Sequence, residues 1–249
     1  MTFLRLAVTA PGVPEIFRSI QGEGPKAGRE RTFVRLSGCN LHCVWCDTPY
    51  TWNWRGTKWP HERAGKFDQA AESVAMSVEA VAEAVEVLPA EGIVITGGEP
   101  LAQMVGLVAL AERLRQAAPS RPIEIETNGT IPPDPRLAEL VDLFMVSPKL
   151  AHSGNALALA QRPTPLAAFA ALEHAIFKFV ARTPADLDEV AALALRHAIP
   201  AERIMVMPEG IDSQTLLTRA AALADAALGR GYGMSDRLHI HLYGDTRGT

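Results

Sequence analysis

The feature that most restricts the fold is an alternation along the chain. Short apolar runs rich in β-type residues are separated by stretches of helical periodicity. Strands are predicted at Glu15–Ile20, Thr32–Leu36, Ile93–Thr96, Ile123–Thr127, Phe144–Ser147, Ile176–Val180, Ile204–Met207 and Leu238–Leu242. Ser77 can N-cap a helix whose apolar stripe is Val78, Val81, Ala82, Val85 and Leu88. Further helices are predicted at Leu101–Ala117, Leu166–His174, Pro184–His197 and Ser213–Leu228, with Pro184 in a first turn, where proline costs no hydrogen bond. A strand that is followed by a helix before the next strand pairs in parallel. About six such repeats predict an α/β fold, a partial (open) β/α barrel of the TIM kind. Chemistry in such barrels gathers at the C-terminal ends of the strands. Cys39, Gly97–Pro100, Thr127–Gly129, Ser147–Lys149 and Pro208–Gly210 all fall there.

A chain of 249 residues, 48% of them apolar, can bury one sizeable core, so residues 1–249 are expected to form a single domain. The net charge of −4 argues against tight nucleic-acid binding, which needs a basic face. No apolar run is long enough to span a membrane, and the N-terminal stretch MTFLRLAVTAPGVPEIF is too short in apolar residues for a secretory signal. The expected location is cytoplasmic. Residues Tyr50–Ala75 fit no period and carry Trp52, Trp54 and Trp59, which reads as an insertion near 50–75 covering the adjacent cysteines. Ala151–Pro165 reads as a second loop.

The chain has three cysteines, Cys39, Cys43 and Cys46, in a C-x3-C-x2-C run. An odd, tight cluster makes a poor disulfide framework and a good metal framework in a reducing compartment. Three thiolates can hold three irons of a [4Fe–4S] cube, whereas electron-transfer clusters usually have a fourth cysteine. The fourth iron would then be open, as catalytic metal positions are. Two other readings stand beside this one: a zinc site completed by His42, and three free thiols. A second motif, Thr96-Gly97-Gly98-Glu99-Pro100, closes a predicted strand and opens a helix. Its glycines permit close backbone approach to a ligand, and Glu99 can accept a hydrogen bond from an ammonium group. Alone, it is also an ordinary strand-to-helix turn.

The cysteine run with Trp45 before its last member, and Gly97-Gly98-Glu99-Pro100 about fifty residues on, resemble the radical S-adenosylmethionine (SAM) superfamily. Further residues narrow the resemblance: Glu15-Ile16-Phe17-Arg18-Ser19-Ile20-Gln21-Gly22-Glu23-Gly24, Cys46-Asp47-Thr48, Glu126-Thr127-Asn128-Gly129-Thr130, Ser147-Pro148-Lys149, Met207-Pro208-Glu209-Gly210 and, more loosely, His239 to Asp245. Together they resemble the 7-carboxy-7-deazaguanine synthase family of queuosine biosynthesis, nearly end to end. The resemblance implies ring contraction of 6-carboxy-5,6,7,8-tetrahydropterin with loss of ammonia, a [4Fe–4S] cluster, SAM and magnesium. It also implies a homodimer and a flavodoxin- or ferredoxin-like reductant.

The same resemblance implies a division of labour. Trp45, Gly97, Gly98, Glu99, Thr127, Ser147, Pro148, Lys149, Met207, Pro208, Glu209 and Gly210 would meet SAM. Ile20, Gln21, Gly22, Glu23, Arg35, Thr96, His241 and Thr249 would meet the pterin. Each role has a chemical motive. Gln21, Glu23 and the backbone of Ile20–Gly22 suit the donor and acceptor edge of a pterin. Arg35 suits a carboxylate, which a guanidinium meets in a fork. Thr48 supplies a hard oxygen for magnesium. By composition alone, Arg35 is equally a surface arginine at a strand end, Thr48 a turn cap, Lys149 a solvated lysine and His241 a satisfied core histidine. Two further readings compete: a glycyl-radical-type activating enzyme, which acts on a protein, and a non-catalytic zinc or electron-transfer module.

Overall fold

The computed structural model describes residues 2–249. In chain order the elements are β1 (Phe3–Ala10), β2 (Val13–Pro14), β3 (Ile16–Ile20), β4 (Glu30–Leu36), β5 (Ser73–Ser77), α1 (Val78–Val87), β6 (Gly92–Gly97), α2 (Met104–Ala117), β7 (Ile123–Thr127), α3 (Pro135–Leu140) and β8 (Leu143–Val146). They continue with α4 (Leu157–Ala160), α5 (Pro163–Ala170), β9 (Ala175–Ala181), α6 (Asp186–His197), β10 (Ile204–Pro208), α7 (Ser213–Leu228), β11 (Gly233–Met234) and α8 (Leu238–Tyr243).

The strands from β4 through β6, β7, β8, β9 and β10 to β11 pair in parallel, each with the next. Antiparallel strands β1, β2, β3 and β5 extend the β4 side. The sheet ends on β11 and β2 and does not close, so the architecture is an open β/α barrel. Successive strand residues face opposite sides. Ile123 and Ile125 of β7, and Phe177 and Phe179 of β9, join the main apolar core with the helices. The intervening Glu124 and Glu126, and Lys178 and Val180, take the inner face. An apolar outer layer and a polar concave face follow from that one alternation.

Ser77 caps α1 as expected, its Oγ accepting from Ala80 N–H at 3.2 Å. Asp212 likewise caps α7 by accepting from Thr215 N–H at 2.8 Å. The structure departs from expectation at several points, among them the stretch 151–165, read as a loop, which holds α4 and the start of α5. Helix α6 begins at Asp186, and Pro184 lies in the preceding turn, where Asp186 Oδ2 accepts from the N–H groups of Arg182 and Thr183. Residues 238–242 form a helix instead of a strand. After β11 the chain turns at Ser235, whose N–H donates to Val206 C=O, and Leu238 N–H then donates to Gly22 C=O, so no strand partner is within reach. Strands β1 and β5, paired antiparallel from Phe3↔Ser77 to Ala7↔Ser73, lay outside the expected βα repeats. Among the described residues, no helix is long and apolar enough to cross a membrane.

Candidate active site

The C-terminal ends of β4 and β6 to β10 surround a cavity of about 490 Å³. Beyond β4 the chain turns through Ser37 and Gly38 into the cysteine loop, and Cys39, Cys43 and Cys46 all line the cavity. Gly98 lets the β6 turn pack on that loop. A Cβ at Gly98 would lie 2.1 Å from Gly38 O and 3.0 Å from Cys39 Cβ, so a side chain there would separate the two. Burial pushes all three thiols up, Cys43 to about 12, so an ionised thiolate here needs a counter-charge. A bound metal centre supplies that charge. Among the described residues, no three His, Cys, Asp or Glu side chains converge as ligands of one metal ion. Three thiols on one loop, lining one cavity with no fourth cysteine in the chain, suit a polynuclear cluster with one open position.

The residues expected to meet SAM divide. Trp45, Gly97, Gly98, Thr127, Ser147, Lys149, Met207, Pro208, Glu209 and Gly210 line the cavity. Lys149 Nζ donates to Ser147 Oγ at 2.8 Å and lies 5.9 Å from the Trp45 ring centroid. Glu99 and Pro148 do not line it. Glu99 is fully buried and its oxygens are taken: Leu101 N–H at 2.9 Å, Thr127 Oγ1 at 2.8 Å and Asn128 N–H at 2.7 Å donate to it. It therefore ties the β6 turn to the end of β7. Glu209 borders the cavity with its carboxylate held by Arg63, Arg182 and Arg219.

The residues expected to meet the pterin line the same cavity, with one exception. Ile20, Gln21, Gly22, Glu23, Arg35, Thr96 and Thr249 line the cavity, as does Thr48. Arg35 Nε donates to the fully buried Glu15 at 2.7 Å. Tyr50 Oη donates to the same carboxylate, at 3.0 and 3.1 Å to its two oxygens. Glu126 accepts from Thr96 Oγ1 at 2.9 Å and from Gln21 Nε2 at 3.3 Å. Thr48 Oγ1 is 3.6 Å from Cys46 Sγ. His241 does not reach the cavity. Its ring binds Ser213 Oγ at 2.9 Å and Asp236 at 3.1 Å, because α8 turns His239 inward in its place.

Several other residues that line the cavity carried no expectation. Lys178 of β9 and Arg237, before α8, both pair with Glu23, the latter at 3.0 Å. Arg237 also donates to Asp47 and, at 2.5 Å, to Gly210 C=O. Burial alone would raise the Glu23 pKa, but Lys178 and Arg237 overcome it and hold the carboxyl well below the usual range. Period-two alternation is the available signal for Lys178, a charged residue between Phe177 and Phe179, and for Glu126, which alternates with Ile123 and Ile125 along β7. No local pattern marks Arg237.

The segment 52–67 lies against the cysteine loop. The His42 ring stacks on Trp59 at 4.3 Å, His61 Nε2 meets Cys46 C=O at 2.8 Å, and Glu62 N–H donates to Val44 C=O at 2.7 Å.

The Radical SAM superfamily matches residues 33–220. The 7-carboxy-7-deazaguanine synthase of Pyrobaculum aerophilum is 36% identical, over 95% of this chain and 96% of its own. The protein of that name from Rhodopirellula baltica is 34% identical, over 95% of this chain and 88% of its own. The crystal structure of QueE from Escherichia coli aligns with a TM-score of 0.64 at 25% identity, covering 94% of this chain and 95% of that one. Streptococcus suis SuiB shares the fold alone, at 13% identity and a TM-score of 0.51 over 80% of this chain and 46% of that one.

Proposed function

We propose a reaction for this chain from one premise: it belongs to the Radical SAM superfamily and, within it, to the family of 7-carboxy-7-deazaguanine synthases. The reaction is the ring contraction of 6-carboxy-5,6,7,8-tetrahydropterin to 7-carboxy-7-deazaguanine with loss of ammonia. The carrying observation is that one cavity is lined by the three cysteines and by a guanidinium and carboxylates suited to the two ends of that substrate. When bound, a reduced [4Fe–4S] cluster supplies the electron that cleaves SAM and so begins radical chemistry on the substrate.

The chain's own residues bind and orient. Cys39, Cys43 and Cys46 hold the cluster. Gly97, Gly98, Thr127, Ser147 and Lys149 form the wall that receives SAM. Arg35 meets the substrate carboxylate with its terminal nitrogens, which have no protein hydrogen-bond partner among the described residues, while Nε is anchored on Glu15. Gln21 and Glu126 present an acceptor-rich edge to the amino-pyrimidine ring, and Glu23 supports it through its pair with Lys178. Thr48 supplies an oxygen for magnesium beside the substrate carboxylate. The segment near 50–75 covers the cluster, which its contacts with the cysteine loop support. A flavodoxin- or ferredoxin-like protein is the reductant, and the reducing cytoplasm suits three free thiols. The chain acts as a homodimer, which sedimentation as a single chain at micromolar concentration would contradict.

A small substrate is favoured over the protein substrate of a glycyl-radical activating enzyme. Gly244, Asp245, Thr246, Arg247 and Thr249 border the cavity, and Arg247 stacks over Tyr50 at 3.6 Å, narrowing the approach.

The assignment of Arg35 is tested by binding. Losing one partner of a buried charged pair costs about 3–5 kcal/mol. Arg35→Ala should therefore lower turnover more than about a hundredfold, at roughly tenfold per 1.4 kcal/mol. It should also lose the preference for the carboxylated pterin over one lacking the carboxylate. An unchanged preference would assign carboxylate recognition elsewhere.

A further inference from the structure

Residues 151–155 grip the cysteine loop. Val44 N–H donates to Ser153 C=O at 3.0 Å, and Trp45 Nε1 donates to His152 C=O at 3.2 Å. Asn155 makes the closest approach to a cysteine side chain. Its Oδ1 accepts from His42 N–H at 2.8 Å, and its Nδ2 donates to Cys43 Sγ and to Ser153 Oγ, each at 3.2 Å. These contacts settle the orientation of the carboxamide. A backbone N–H needs an oxygen opposite it, so the amide NH2 must be the end that faces the sulfur.

The other sulfurs are served less closely. Leu41 N–H reaches Cys39 Sγ at 3.5 Å and Asn128 Nδ2 reaches it at 3.9 Å, while Thr48 Oγ1 stands 3.6 Å from Cys46 Sγ. Cys43 is buried in an apolar cluster with Leu41, Trp45, Ala160, Val180 and Met207. A dipole aimed at a sulfur acts most strongly where water is excluded.

We propose that Asn155 is a positioning residue that acts through Cys43: its amide N–H stabilises negative charge on that thiolate and raises the reduction potential of the cluster. Adding an electron increases the charge on the cysteine sulfurs, so a donor there favours the reduced form. Hydrogen bonds to the sulfurs and solvent exposure are among the terms that set such potentials, and outer residues tune metal centres through their ligands. The inference rests on the cluster reading above.

The test is an EPR-monitored redox titration of the anaerobically reconstituted full chain without SAM, beside Asn155→Asp and Asn155→Ala. Asp keeps an oxygen for His42 N–H and places an anionic oxygen where the donor was. Ala removes both contacts and adds no charge. The expected order of potentials is parent highest, Ala lower and Asp lowest. For Asp the reduction equilibrium should fall at least tenfold, which is about 59 mV for one electron. An Asp variant with its full iron content and an unchanged potential would overturn the proposal. So would loss of iron in both variants, which would make Asn155 an anchor of the loop and not a tuner of the metal. A parent chain that takes up no iron would instead sink the cluster reading itself, and the inference with it.

Discussion

Glu23 stands in the cavity between two buried cations. Lys178 and Arg237 are buried beside it, and Arg237 also pairs with the half-exposed Asp47, so each charge depends on its neighbours. Removing Lys178 should cost more than removing a surface lysine, because it leaves Glu23 under-compensated. Lys178→Met is expected to lose about 3–5 kcal/mol of stability at neutral pH in chemical denaturation. The pH dependence has a definite sign. The folded-state pKa of Glu23 is depressed, so its contribution is present above the ordinary carboxylate value and is lost as pH falls below it. In Lys178→Met that depression weakens, so the gap between parent and variant should narrow below about pH 4.5. A gap that stays constant from pH 7 to pH 3 would contradict the pairing. At this scale the cysteines and the two glycines after β6 were legible, because metal spacing and close approach leave local marks. The partners of Glu23 were not, since Arg237 lies 214 positions away and meets it only through the fold.

Elements were legible where one period dominates. The helix at Ser213–Leu228 matches its expected bounds, and β7 matches its own, because an apolar stripe in one and a run of alternating residues in the other admit little else. The stretch 238–243 shows the limit. His239, Ile240, His241 and Leu242 alternate like a strand, but the turn at Ser235 and the burial of Arg237 carry the chain back over the cavity mouth, where a short helix caps it. That cap rests on Gly22. A Cβ there would fall 1.9 Å from His239 Nδ1 and 2.9 Å from the His239 backbone nitrogen, so neither a rotamer change nor a small shift would admit it. Gly22→Ala is expected to displace α8 and leave the cysteine loop intact. Limited proteolysis should cut within 238–249 far faster than in the parent, and pterin binding should weaken at least tenfold while iron content is unchanged. Equal proteolysis rates would show that the helix docks by other contacts.

For the whole molecule, the open barrel explains why the two halves of the chemistry meet. Parallel strands deliver their C-terminal ends to one rim, so a cysteine loop after β4 and the turns after β6 to β10 share a cavity without any long-range signal between them. The barrel stays open between β11 and the β4 side, and the segment 235–249 lies over that cavity, bordering it with His239, Asp245 and Thr249. A cavity lined by thiols and by charged side chains suits a small polar substrate. The most direct test is anaerobic reconstitution with iron and sulfide, followed by mass spectrometry of the product formed from 6-carboxy-5,6,7,8-tetrahydropterin with SAM, magnesium and a reductant. The expected result is 7-carboxy-7-deazaguanine from the parent and none from Cys39→Ala, Cys43→Ala or Cys46→Ala. A fully iron-loaded parent that cleaves SAM in the presence of the tetrahydropterin and yields no deazaguanine would contradict it.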